Sequence, residues 1–197
     1  MDLVPDTYAR WRATTLGRIT ERLEVELVDS LAECGPGDRV LDVGTGDGTY
    51  AIQAARRGAV VVGLDRSPAM LAAAGQRARA AGVQVELRLG SAEALPFADA
   101  SFDRVLAVTV LCLVDDPVRA LAEMARVTRP GGRIVLGELE LRGAVFYPPV
   151  PIVARITKGL DPALGRLGCP GAGFLALRAE KPVHPSMSIG RRGPAHY

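Results

Sequence analysis

The chain has 197 residues, a net charge of +2 and 48% hydrophobic residues. That length suits one domain with a substantial core, and so small a charge gives no electrostatic case for nucleic acid or an anionic membrane surface. Cys34, Cys112 and Cys169 are odd in number and widely spaced, so a disulfide framework is not expected and a reducing cytoplasm is. The only histidines, His184 and His196, lie near the C-terminus, so no metal site is expected. No apolar run reaches the ~18 residues of a membrane span, and the opening Met1-Asp2-Leu3-Val4-Pro5-Asp6 does not read as a signal peptide.

In chain order, Leu16, Ile19, Leu23, Leu27 and Leu31 recur at helical spacing and predict a helix over 7–33, stopped by Gly35-Pro36-Gly37-Asp38. Arg39–Val43 reads as a buried strand, 48–57 as a helix ended by Gly58, and Val60–Leu64 as a second strand. Ser67 and Pro68 are an N-cap and first-turn proline for a helix to about Ala81. Val83, Val85, Leu87 and Leu89 alternate with polar neighbours, predicting a third strand over 83–89. A fourth strand is expected over Phe102–Val110 and a helix over Pro117–Val127. Arg129-Pro130-Gly131-Gly132 is read as a turn before a fifth strand, Arg133–Leu139.

Strands and helices alternate through connections too long for hairpins. The expected fold is therefore α/β, a Rossmann-like and mainly parallel sheet with helices on both faces. Ligands on such sheets sit at the carboxyl ends of the strands, near the switch in strand order. Gly44–Gly48, Asp65, Ser91–Glu93 and Thr109–Cys112 all follow expected strand ends, so they should converge on one edge.

Two of these segments carry chemistry. Val40-Leu41-Asp42-Val43 runs into Gly44-Thr45-Gly46-Asp47-Gly48, and Val60–Leu64 runs into Asp65. A glycine-rich turn after a strand lets a ligand approach backbone, and a carboxylate after the next strand can accept from two ribose hydroxyls. Thr49 stands where a dinucleotide pattern has its third glycine, and a pyrophosphate would be repelled by Asp42. An adenosine ligand with an ammonium and no phosphate, such as S-adenosylmethionine, fits better. The plainer readings are a helix-capping Asp42, a turn residue Asp65 and glycines that merely make a tight turn.

Four blocks in order resemble the class I S-adenosylmethionine-dependent methyltransferases, especially the small quinone-biosynthesis group. They are Val40–Gly48, Val62–Met70, Gly90–Phe97 with Ser101-Phe102-Asp103, and Arg129–Leu136. The resemblance covers about residues 8–139. It implies that the backbone of Gly44, Thr45, Gly46 and Gly48 holds the methionyl part, with Asp42 near its ammonium. It further implies that Asp65 binds the ribose and that Arg66 and Met70 pack the adenine. Ser91, Ala92 and Glu93 should border the adenine edge, although relatives often have aspartate at position 91. Thr109 should contact the methionyl part, and Tyr8 and Trp11 should belong to a helical flap over the cofactor. Plainer roles stand beside these: helix packing for Tyr8 and Trp11, solvation for Glu93, a strand start for Asp103, and an apolar filler for Cys112.

The same resemblance implies a single domain over 1–181: a flap at 1–33, a cofactor core at 39–139 and a shortened part at 140–181. Gly173–Lys181 resembles the family's final, antiparallel strand, with Ala144–Tyr147 as its partner. Residues 182–197 read as a disordered tail. The implied activity is transfer of a methyl group to a small-molecule O, N, C or S acceptor aligned at about 3–3.5 Å, with no general base assigned. The shortening after Leu139 motivates the alternative of a non-catalytic cofactor-binding module or partner subunit. Apolar residues around Val145–Val153 leave a homodimer open.

Overall fold

The computed structural model describes residues 13–141 and 172–181. The elements are α1 (Thr15–Ala32), β1 (Arg39–Val43), α2 (Thr49–Arg56), β2 (Val60–Asp65), α3 (Pro68–Ala80), β3 (Glu86–Leu89) and β4 (Phe102–Val108). A 3-10 turn (Leu111–Leu113), α4 (Pro117–Val127), β5 (Thr128–Leu141) and β6 (Ala172–Glu180) follow. One six-stranded sheet has the order β3-β2-β1-β4-β5-β6. Every pairing is parallel except β5 with β6, which runs antiparallel from Arg133↔Glu180 to Leu141↔Ala172. The order reverses between β1 and β4, and the crevice at such a switch point is where ligands enter this architecture.

Alternation along the central strands fills two apolar layers. Val40, Val61, Leu106 and Val135 face Val28 and Ala32 of α1 and Ala51 and Ala54 of α2. Leu41, Val43, Val62, Leu64, Val105 and Ala107 face Ala120, Met124 and Val127 of α4. Strands buried on both faces read as continuous apolar runs, which is why Val40–Val43 and Val60–Leu64 were legible.

Several boundaries differ from expectation. Ala13 and Thr14, expected to be helical, precede α1, which starts at Thr15, and β5 runs past Leu139 to Leu141. β3 starts at Glu86, not Val83, because it pairs only with Val62–Asp65 of β2 at the sheet's edge; Leu89 is 61% exposed there. β4 ends at Val108, not Val110, because Thr109 turns into a left-handed conformation at φ 56°. β5 starts at Thr128, not Arg133. The Arg129–Gly132 turn sits inside the strand as an irregularity, since Thr128 pairs with Phe102 while Arg133 pairs with Arg104. Gly131 and Gly132 are then tied to Lys181, through Gly131 N–H to the Lys181 carbonyl at 2.8 Å and Lys181 N–H to the Gly132 carbonyl at 3.0 Å. The expected flap residues Tyr8 and Trp11, the expected strand Ala144–Tyr147 and the tail 182–197 lie outside the described residues. Among the described residues no helix is long and apolar enough to cross a membrane.

Candidate cofactor site

Parallel pairing brings the ends of β1, β2, β3 and β4 to one edge, and with them Gly44–Gly48, Asp65, Ser91–Glu93 and Thr109. The glycine turn needs its glycines for two separate reasons. Gly44, Gly46 and Gly48 have φ of 66°, 55° and 86°, which residues with a Cβ avoid. Their surroundings then differ. A Cβ on Gly44 would lie 2.4 Å from Cγ2 of Val110, and one on Gly48 would lie 3.2 Å from Cβ of Ala74. A Cβ on Gly46 would meet nothing nearer than the Gly44 carbonyl at 4.0 Å. The turn is closely packed from beneath at both ends and open over its middle, the shape a ligand laid on backbone requires.

Asp65 fixes that middle. Its Oδ2 accepts from Gly46 N–H at 2.9 Å and its Oδ1 from Ser67 N–H at 2.8 Å. Each carboxylate oxygen has a further lone pair, so the anchored side chain can still accept from a ligand's hydroxyls. Thr45 is 5% exposed and uses both its donors inside the protein: its N–H donates to the Leu64 carbonyl at 2.9 Å and its hydroxyl to Asp42 Oδ2 at 2.7 Å. Its side chain covers Gly63 of β2, where a Cβ would come within 2.9 Å of Oγ1.

Asp42 is 1% exposed. Oδ2 also accepts from Ala51 N–H at 3.1 Å, so this carboxylate joins the end of β1 to the first turn of α2. Burial pushes its carboxyl up to about 7, against the opposing pull of the Thr45 and Ala51 bonds, and the charge of Asp65 adds to the rise. Glu24 on α1, 4% exposed, is pushed up to about 7 by burial and by Glu21. Its Oε1 has no hydrogen-bond partner among the described residues. Both carboxyls hold a proton more tightly folded than unfolded. Their contribution to stability is therefore full below the usual carboxylate range and is lost as pH rises through about 7. The urea midpoint is expected to fall between about pH 4 and pH 8, and Asp42→Asn should flatten that fall. A variant with the full wild-type slope would show that Asp42 does not titrate in this window.

At the neighbouring strand ends the picture is tighter than sequence implied. Met70 is 8% exposed and Ala92 is 7% exposed, whereas Arg66 and Ser91 are exposed. Glu93 is bound internally: Oε1 accepts from Asp116 N–H at 2.5 Å, and Ser91 Oγ lies 3.5 Å from Oε2 and accepts from Glu93 N–H at 3.2 Å. The segment after it is clamped from α4. Arg126 donates to the carbonyls of Leu95 (3.0 Å) and Phe97 (2.7 Å), and Glu123 accepts from Leu95 N–H at 2.8 Å. The Arg126 guanidinium holds the Glu123 carboxyl down to about 2. Thr109 is strained, being β-branched at φ 56°, and its N–H donates to the Gly137 carbonyl at 2.6 Å. Cys112 is half-buried. Asp103 is the second residue of β4, which starts at Phe102, and it accepts from Arg39 N–H at 2.6 Å and pairs with Arg129 at 2.5 Å.

Sequence reasoning placed Thr109–Cys112 at this edge without giving Val110 its part, which is to pack against Gly44, and it missed Arg77, which holds Asp47 and Thr49. The signal for Arg77 was its spacing on α3. Met70, Ala74 and Arg77 fall on one helical face, and the first two are buried against the site. Among the described residues no cluster of His, Cys, Asp or Glu could hold a metal ion.

These features have counterparts of similar sequence and fold among known proteins. Residues 41–136 match the family described as a methyltransferase domain. A demethylmenaquinone methyltransferase of Renibacterium salmoninarum is 44% identical over 129 residues, 66% of this chain and 47% of that protein. The chain thus spans about half the length of the curated relatives it matches. Among solved structures, a SAM-dependent methyltransferase from Aquifex aeolicus aligns with TM-score 0.63 over 82% of this chain and 88% of its own, at 22% identity. The cyclase SpnF aligns with TM-score 0.61 at 31% identity, over 68% of this chain and 50% of its own.

Proposed function

We propose, from the match of residues 41–136 to the methyltransferase-domain family, that this chain binds S-adenosylmethionine and transfers its methyl group to a small-molecule acceptor. The observation that carries the proposal is the glycine turn, packed beneath by Val110 and Ala74, open over Gly46 and joined to the Asp65 carboxylate at 2.9 Å. That arrangement suits an adenosine ligand without phosphate. The Asp65 carboxylate, held by the neutral N–H groups of Gly46 and Ser67, borders the turn, and a pyrophosphate there would be repelled. The carboxylate favours a ligand bearing an ammonium and a sulfonium.

When bound, the cofactor supplies a methyl group already made electrophilic by its sulfonium. The chain's own work is binding and orientation. The backbone of Gly44, Thr45, Gly46 and Gly48 receives the methionyl part. Asp42 uses Oδ2 inside the protein, which leaves Oδ1 to face an ammonium. Asp65 accepts from the ribose. Met70 and Arg66 border the adenine, as do Ser91, Ala92 and Glu93, with Glu93 acting by holding that segment to the start of α4. Thr109 borders the methionyl part next to the end of β4, and the flap role of Tyr8 and Trp11 over the cofactor, read from the sequence, is part of the same proposal. The same reading makes 1–181 one domain working in the cytoplasm, as a monomer or a homodimer.

A fold of this kind does not dictate its reaction, and the similarity to a cyclase makes the distinction concrete. The test is transfer of labelled methyl from S-adenosylmethionine across a panel of small acceptors that includes demethylated quinols. Transfer to any member supports the proposal. Tight cofactor binding with no transfer across the panel would favour a binding module instead.

A further inference from the structure

The open turn has a second attachment, on the side away from Asp65, and it comes from α3. Ala74 sits against Gly48, and one turn further along the helix Arg77 reaches the same segment. Its Nη1 donates to the Asp47 carbonyl at 3.2 Å and to Thr49 Oγ1 at 2.9 Å, and pairs with Asp47 Oδ1 at 2.7 Å. Thr49 in turn lies 3.2 Å from Glu21 Oε1 of α1, and Arg77 Nη2 is 3.9 Å from the same oxygen. A single guanidinium therefore connects α3, the glycine turn, the first residue of α2 and α1.

The location of these bonds gives them meaning. Gly46 and Gly48 flank Asp47, and both occupy left-handed backbone. Glycine there loses more conformational freedom on ordering than any other residue, so the turn needs external fixing points. Asp65 fixes the Gly46 N–H from within. Arg77 holds the Asp47 carbonyl, and with it the peptide plane between Asp47 and Gly48. It also gives the Asp47 carboxylate, only 12% exposed, a cationic partner. A guanidinium suits this place because its planar fork offers several donors at once, where an ammonium is a point charge.

We propose that Arg77 is a positioning residue of the cofactor site: it holds the Asp47–Thr49 half of the glycine turn in the conformation that receives the methionyl part. The inference rests on the cofactor reading above, and the experiment separates the two. Wild type, Arg77→Met and Arg77→Lys are compared by amide hydrogen exchange without ligand and by calorimetric titration with S-adenosylhomocysteine. In Arg77→Met the amides of Gly46–Thr49 should exchange about tenfold or more faster, while those of Val40–Val43 and Val105–Ala107 keep wild-type rates. The dissociation constant should rise about tenfold, with Arg77→Lys between the two. In the Asp47→Asn background, Arg77→Met should cost much less affinity than it does alone, because the two side chains act as a unit. Wild-type exchange across the turn in Arg77→Met, or affinity within twofold of wild type, overturns the proposal. Faster exchange in a protein whose wild type binds no S-adenosylhomocysteine overturns the cofactor reading, and the role of Arg77 toward that cofactor with it.

Discussion

Asp65→Ala is expected to weaken S-adenosylhomocysteine binding by about 100-fold or more. Hydrogen bonds to a charged acceptor contribute roughly 1.5–3 kcal/mol each, and the variant loses the acceptors for two ribose hydroxyls together. It also releases the N–H groups of Gly46 and Ser67, which both depend on this carboxylate. The turn is then less ordered before the ligand arrives, so part of the loss is a cost of ordering and not of missing contacts. Asp65→Asn separates the two. One amide oxygen remains to accept, and binding should fall between wild type and alanine. Equilibrium dialysis against labelled S-adenosylmethionine measures both variants. Wild-type affinity in Asp65→Ala would make Asp65 a turn residue and nothing more.

The second large effect is on stability. Gly44→Ala places a methyl 2.4 Å from Cγ2 of Val110 and forces an L-residue to φ 66°. Left-handed backbone costs about 1–2 kcal/mol, and overpacking about 1–3 kcal/mol more. A loss of about 3 kcal/mol should lower Tm by roughly 6–12 °C in a chain of this size. Val110→Ala in the Gly44→Ala background should restore the packing part while leaving the backbone part. Gly46→Ala is the informative contrast. Its Cβ meets no side chain, so about 1–2 kcal/mol of backbone strain is the whole expected stability cost. Its methyl would instead occupy the open space over the turn, so ligand binding should suffer more than Tm. Calorimetric melting together with ligand titration distinguishes the two variants. Equal losses of stability at both positions would contradict the geometry.

How much of this was legible in the sequence follows from where each determinant lies. Pro117–Val127 was read to the residue because both its signals are local. Asp116 caps its start by accepting from Arg119 N–H and Pro117 sits at the first position, while Pro130-Gly131-Gly132 close behind Val127 bar its continuation. Ser67 likewise caps α3 through Met70 N–H. The glycine turn and Asp65 were legible for the same reason: the turn directly follows buried β1, and Asp65 is the last residue of β2. β4 was read too long because nothing local marks a β-branched Thr109 as left-handed. That conformation is held from outside, by the Gly137 carbonyl on the next strand. β3 was read too long because Val83, where the alternation begins, is still tied by its N–H to the Ala78 carbonyl of α3, and pairing with β2 starts only at Glu86. Arg77, Val110 and the Arg126–Glu123 clamp act between elements far apart in sequence, so only the assembled sheet reveals them.

The most direct measurement is calorimetric titration of the wild-type chain with S-adenosylhomocysteine, beside a parallel titration with a nicotinamide dinucleotide. A site built from a glycine turn bordered by the Asp65 carboxylate predicts saturable one-to-one binding of the first ligand and no heat from the second. A folded protein that is silent toward S-adenosylhomocysteine, or one that prefers the dinucleotide, would contradict the assignment of this turn to a methyl-donor cofactor.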